Sequence, residues 1–211
     1  MNVGIIGSGE VGQKLGDGFI ELGHKVMIGS RDTNKLAAWV GKHKDRASAG
    51  SFSQAAEFGD LIVIATLWAG TKSVIEMAGA KNFAGKVVID VTNPLDFSSM
   101  PPKMAVGGND SAGETVQWLL PGAKVVKAFN TVGNPHMVHP QFQEGKPTMF
   151  ICGNDEGAKK TVTDIVTAFG WDCVDIGGIE GSRQLEQLAM LWIIYYFRTN
   201  TGNHAFKLLR K

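Results

Sequence analysis

Short segments of this chain are apolar at every position rather than at every second one. Val3 to Ile6 and Leu61 to Ala65 are the clearest. A strand that is apolar throughout is buried on both faces, so helices must cover its sheet above and below. Sheets of that kind are parallel, and their strands alternate with amphipathic helices. The chain follows this alternation. Val11, Leu15, Phe19 and Leu22 recur at helical spacing, and Gly23 stops the helix. Lys25 to Ile28 is a second strand, and Asp32 caps a helix that runs to about Lys42. Further helices are expected over 52–58, 71–78, 112–120, 155–169 and 182–199. Further strands are expected over 86–90, 124–128, 148–152 and 172–176. Val91 to Asp110, rich in Pro, Asn and Gly, is a long irregular stretch of the kind that often carries function. The expected fold class is α/β, a Rossmann doubly wound, mostly parallel sheet with a small C-terminal helical extension.

Composition narrows the function classes. The 211 residues are 44% hydrophobic, which excludes a disordered chain. The net charge is +1, without the basic excess that nucleic acid demands of a partner. The longest apolar stretch, Leu188 to Phe197, is far short of the ~20 residues needed to span a bilayer. No basic region precedes the first apolar run, so no targeting segment and a cytoplasmic location are expected. The two cysteines, Cys152 and Cys173, lack metal-ligand spacing and read as strand thiols in a reducing compartment. No HExxH, Ser-His-Asp order or paired-carboxylate pattern is present, so no metal is expected.

The first strand flows into Gly7-Ser8-Gly9-Glu10-Val11-Gly12, and this loop opens the first helix. In that context GxGxxG is a dinucleotide signal. Gly7 permits the tight turn, Gly9 lets backbone approach a pyrophosphate, and Gly12 lets the helix pack on the strand. The helix N-terminus offers free N–H groups to phosphate. Glu10 is expected to point to solvent. At the end of the second strand, NAD-binding chains carry an acid for the ribose 2′-hydroxyl. Here the segment reads Gly29-Ser30-Arg31, with Lys35 one turn on. Ser30, Arg31 and Lys35 suit a 2′-phosphate, which favours NADP over NAD.

The other strand ends are Thr66-Leu67-Trp68, then Asn93 after Val91-Thr92, then Asn130-Thr131. Ligands of open α/β sheets bind outside such ends. Asn93, Asn130 and Thr131 are neutral hydrogen-bonding groups suited to a carboxamide or a ring edge. His136 and His139 are candidate proton donors, and Lys127 is a weaker one. The closing helix carries Leu185, Leu188, Leu191, Trp192, Tyr195 and Tyr196, an apolar surface broad enough for either a homodimer contact or a core position.

These residues resemble the coenzyme F-420-dependent NADP oxidoreductases, a family related to the ferric-reductase domains of the Steap membrane proteins. The resemblance covers essentially the whole chain. It rests on IGSGEVGQKL at 6–15, GHKVMIGSRD at 23–32, DVTNP at 90–94 and VVKAFNT at 125–131. It continues through FICGND at 150–155, RQLEQLAMLW at 183–192 and HAFKLLRK at 204–211. The resemblance implies a homodimer with an NADP-binding Rossmann domain over 1–130. Residues 131–211 would complete the sheet and close with a dimerisation or capping helix. NADP(H) would lie along Ser8, Gly9, Glu10, Val11 and Gly12, with Ser30, Arg31 and Lys35 on the 2′-phosphate. Thr66 and Leu67 would border it. A small-molecule acceptor would stack near Trp68, Asn93 and Asn130, with Thr131 and His136 as further candidates.

The expected activity is hydride transfer between NADP(H) and a flat redox acceptor: coenzyme F-420, a flavin or a related compound, or a ferric chelate reached through a flavin. Transfer between stacked rings needs proximity and orientation rather than a protein acid or nucleophile. The alternative is an NADP(H)-sensing module without turnover. A reductase of imines or hydroxy acids would need a long helical C-terminal domain, for which the single closing helix leaves no room.

Overall fold

Neighbouring residues on the central strands enter opposite cores. Val3 and Ile5 belong to one buried cluster of 27 residues, and Ile6 to another of 16. Leu61 and Val63 face the first cluster, Ile62 and Ile64 the second. This division is why the strands are apolar at every position.

The computed structural model describes residues 1–211. Its strands are β1 (Asn2–Ile6), β2 (Lys25–Gly29), β3 (Ala47–Gly50), β4 (Leu61–Ile64), β5 (Val87–Asp90), β6 (Leu95–Asp96), β7 (Lys103–Met104), β8 (Lys124–Lys127), β9 (Thr148–Gly153) and β10 (Asp172–Asp175). Its α-helices are α1 (Glu10–Glu21), α2 (Ala37–His43), α3 (Phe52–Phe58), α4 (Trp68–Ala78), α5 (Ala112–Leu119), α6 (Glu156–Ala168) and α7 (Ser182–Thr199). One eight-stranded sheet runs in the order β10-β9-β8-β5-β4-β1-β2-β3. All neighbours are parallel except β8 and β9, which pair antiparallel. The order from β3 to β8 is that of a Rossmann sheet, with the switch point between β1 and β4. Helices α1, α2 and α6 cover one face, and α3, α4 and α5 the other. No helix is long and apolar enough to cross a membrane.

Three local features differ from the sequence pattern. Strand β3 is built from Ala-Ser-Ala-Gly, which carries no β-branched or aromatic residue, and it forms by edge pairing to β2. The helix expected from Asp32 is broken into a 3-10 turn over Thr33–Leu36 and then α2. Asp32 does cap the turn, accepting from the Asn34 N–H at 3.1 Å. The irregular stretch after β5 contains a small hairpin, with Leu95 opposite Met104 and Asp96 opposite Lys103. Of the two strand thiols, Cys152 is buried and Cys173 half-buried, and both are free. Burial pushes the Cys152 thiol up to about 11, against a weaker opposing pull from the Ser182 hydroxyl.

Helices α1 and α2 are tied by Asp17. One carboxylate oxygen accepts from Trp39 Nε1 at 2.7 Å and meets His43 Nε2 at 2.7 Å, and the other pairs with Lys42 at 3.0 Å. Partial burial works to raise the Asp17 pKa, but Lys42, Trp39 and His43 together hold it below its ordinary 3.8. A depressed acid stabilises the fold above its unfolded pKa and loses that contribution as pH falls through the folded value. In thermal unfolding, Asp17→Asn is expected to melt below the wild type at pH 6. The gap should shrink as pH falls below 3.8; a gap that stays constant to pH 2 contradicts the assignment.

Candidate functional site: a cleft across the strand ends

The loop after β1 is shaped by two glycines for two different reasons. Gly7 has φ +131°, and any Cβ there would overlap the Ala65 carbonyl. A Cβ at Gly12 would overlap the Gly7 carbonyl oxygen and press on Ile5. Both therefore serve packing of loop, strand and helix. Gly9 differs, because nothing lies within 4 Å of where its Cβ would be. It is also the N-cap of α1 and makes no side-chain cap bond. The first N–H groups of α1 have no partner within the helix. Bare backbone and free donors thus face open space.

That space is a cleft of about 680 Å³ along the carboxyl ends of β2, β1, β4 and β5. Three strand spacings amount to about 14 Å, enough for an extended dinucleotide. Its walls include Gly7, Ser8, Gly9, Glu10, Val11, Ser30, Arg31, Lys35, Thr66, Leu67, Trp68 and Asn93. They also include Phe52, Val74, Val91, Leu95, Phe97 and Asn134, which the sequence pattern does not single out. Phe97 arrives on the β6–β7 hairpin, whose position depends on packing far from its own sequence.

At the β2 end, Ser30 Oγ lies 3.1 Å from Ser8 Oγ, and donates to the Asp32 carbonyl at 2.8 Å. Arg31 and Lys35 are exposed and neither is within ion-pair distance of a carboxylate. Asp32, the next residue, is also exposed and accepts from the Asn34 N–H through one carboxylate oxygen. Glu10 is exposed, as its place at a helix start suggests, and accepts from Asn134 Nδ2 at 3.1 Å.

Several sequence candidates lie outside the cleft walls. Gly12 is a packing residue. Asn130 is buried beneath Asn93 and the two are hydrogen-bonded, while the Asn130 side-chain oxygen is buried without a partner. Asn93 Nδ2 donates to the Asn130 carbonyl at 2.8 Å, and Asn130 Nδ2 to Asn93 Oδ1 at 3.0 Å. Asn130 Nδ2 also reaches the Leu185 carbonyl at 3.0 Å. Thr131 is buried beside Met149. His136 meets Asn203 at 3.1 Å, and His139 meets Glu21 at 3.0 Å.

Beneath the β5 end lies the largest departure from the sequence reading. Lys127, a weak proton-donor candidate by sequence, is completely buried. Its ammonium is 2.8 Å from Asp90, 3.1 Å from Glu186 and 2.6 Å from the Thr92 carbonyl. Asp90 accepts from the Thr92 N–H and hydroxyl at 2.9 and 2.7 Å. Glu186 accepts from the N–H groups of Ala112 and Gly113, both at 3.0 Å, and so caps α5 from α7. Burial disfavours the Lys127 charge, but Asp90 and Glu186 outweigh it and raise its pKa. Burial likewise raises that of Glu186, against the pull of Lys127 and the α5 N–H groups. The network ties the cleft floor to the closing helix and is sealed from the cleft. Its sequence signal was slight, since three lone charges on apolar elements find one another only in the fold. Removing one member leaves a buried charge unpaired, at a cost of about 3–5 kcal/mol. Lys127→Met is therefore expected to lower stability by about that amount in urea unfolding, with Lys127→Arg also unfavourable because the pocket is closed. A loss below about 1 kcal/mol would show that the network is not held as described.

Comparisons with known proteins agree with this architecture. Residues 2–94 match the family model described as NADP oxidoreductase, coenzyme F-420-dependent. A crystal structure of a candidate F-420-dependent NADP reductase from Arthrobacter sp. FB24 is 36% identical, with TM-score 0.94 and full coverage of both chains. The F-420-dependent NADP reductase of Methanocaldococcus jannaschii is 29% identical over 85% of this chain and 86% of its own length. The rat metalloreductase STEAP3 is 28% identical over 89% of this chain, which spans only 36% of that protein's length. On sequence and fold together, the chain belongs to the coenzyme F-420-dependent NADP oxidoreductase family.

Proposed function

We propose that the cleft holds NADP(H), with its 2′-phosphate at the β2 end and its nicotinamide toward β5, and that the protein reduces or oxidises a flat acceptor stacked there. The carrying observation is the pairing of bare Gly9 backbone with two unneutralised cations, Arg31 and Lys35. The residues fit the group. Free N–H groups of α1 would receive the pyrophosphate, and the planar fork of Arg31 would take phosphate oxygens. Ser30 shapes the same turn through its bonds to the Asp32 backbone. When bound, the nicotinamide would give up or take up a hydride, which carries the two electrons. The chain's own contribution is orientation and exclusion of water. Val11 and Thr66 border the middle of the cleft, and Leu67, Trp68 and Phe97 its far mouth. No acid or base is required of Asn130, Thr131 or His136, which lie behind or away from the walls.

Residues 1–130 carry the cleft in this reading apart from Asn134, and residues 131–211 complete the sheet and latch it through Glu186. Exposed Leu191, Ile194, Tyr195 and Phe197 on α7 support a homodimer contact through that helix. Two free thiols suit a reducing cytoplasm.

Arg31→Ala should weaken NADPH binding by roughly ten- to a hundredfold and leave NADH binding nearly unchanged. Equal losses for both would remove the 2′-phosphate assignment. The glycines separate folding from binding. Gly9→Ala meets open space, so its melting temperature should match the wild type while NADPH affinity falls. Gly12→Ala should lose stability first. Undiminished NADPH affinity in folded Gly9→Ala argues against a pyrophosphate over that loop. Anaerobic NADPH oxidation with coenzyme F-420, FMN and a ferric chelate in parallel then tests turnover. Tight NADPH binding with no consumption by any acceptor favours a sensing module instead.

A further inference from the structure

Charge is unevenly placed on the cleft wall. Arg31, Asp32 and Lys35 follow β2 closely and gather at that end. Glu10 opens α1, and from β1 to β5 it is the one charged side chain on the wall. No cation stands within ion-pair distance of it. Its partner is Asn134 Nδ2, at 3.1 Å. Asn134 is the one wall residue that comes from beyond β8.

That partner fixes where the carboxylate is tethered. Strand β8 lies beside β5, whereas β2 is three strand positions from β5. The turn that carries Asn134 is held in place from several directions. The Trp192 ring of α7 packs on Gly133, so closely that a Cβ there would be 3.1 Å from it. His136 meets Asn203 at 3.1 Å. Val132 and Met137, on either side of the turn, are buried in the same core as Leu15 of α1. The Glu10 carboxylate is thus bound to a fixed segment that follows β8, and not to Arg31 or Lys35.

On the NADP(H) reading above, the nicotinamide lies toward β5. Its ring is neutral when reduced and a cation when oxidised, while the phosphates are the same in both forms. A fixed carboxylate on this part of the wall acts on both forms alike through their phosphates and differently through their rings. Resting on that reading, we infer that Glu10 sets the redox preference of the bound cofactor: it favours NADP⁺ over NADPH, and so biases the bound couple toward giving up its hydride. The reduced ring loses a hydride to the flat acceptor and becomes a pyridinium cation. The Glu10 charge offsets that new positive charge, and Glu10 itself gains and loses no proton.

Glu10→Gln removes the charge and keeps an oxygen to accept from Asn134. NADPH affinity is read from the enhancement of its own fluorescence, and NADP⁺ affinity from displacement of NADPH, both at low salt. In Glu10→Gln the ratio of NADPH affinity to NADP⁺ affinity is expected to rise about three- to tenfold. A tenfold rise corresponds to an upward shift of about 30 mV in the potential of the bound two-electron couple. Glu10→Lys should move the ratio further in the same direction. Asp32→Asn removes the same unit of charge at the β2 end, keeps an acceptor for the Asn34 N–H, and should leave the ratio within about twofold of the wild type. A ratio unmoved or lowered in Glu10→Gln and Glu10→Lys overturns the inference, because Glu10 then acts on the phosphates alone. So does an equal shift in Asp32→Asn, which would make the effect one of net charge. Wild-type protein that does not bind NADPH removes the proposed function, whereas normal NADPH binding with an unmoved ratio removes only the role of Glu10.

Discussion

A buried ammonium holds this structure together at the point where its two halves meet. Lys127 ends the last strand of the Rossmann order, Asp90 ends the strand beside it, and Glu186 comes from the closing helix. Charges cannot be left unpaired in a dry interior, so all three elements must arrive together. The consequences extend outward from Lys127. Its bond to the Thr92 carbonyl, with Asp90 on the Thr92 N–H, fixes the backbone that forms the cleft floor. Glu186 adds to the Ser111 cap of α5 by accepting from the Ala112 and Gly113 N–H groups. The neighbouring residue, Leu185, accepts from Asn130, which in turn holds Asn93. The cluster carries one more acid than base, and the α5 N–H groups receive part of that excess charge.

Above this floor the cleft divides its work by chemistry. The β2 end carries both cations and faces solvent. The middle is backbone, where Gly9 leaves room and α1 supplies donors. The β5 end is largely apolar, and Asn93 there is hydrogen-bonded to Asn130. A site divided this way offers charge at one end and apolar surface at the other. It also explains the absence of a conventional acid–base constellation. Asn130 lies behind the cleft wall and holds Asn93, which stands on it.

Much of the fold was legible in the sequence. Apolar runs such as Leu61 to Ala65 announced a two-faced sheet, and the helix periods placed α1, α5 and α7 closely. Gly7, Gly9 and Gly12 were readable because their spacing expresses local geometry. Strand β3 was invisible because Ala-Ser-Ala-Gly has no strand preference of its own and borrows its structure from β2. The turn at Thr33 was read as α-helix because the capping signal of Asp32 is the same for both. Phe97 was missed because a hairpin far along the chain delivers it to the cleft.

The sequence by itself determined the alternation of the main strands and helices, the glycine loop and the basic segment after β2, since each depends on residues close together in the chain. Tertiary structure alone decided which strand-end side chains face the cleft and which face each other. Asn93 stands 37 positions before Asn130, and Ala112 stands 74 before Glu186. Whether such groups are free or spent depends on distances between elements. A buried polar atom takes whatever partner the packing brings to it.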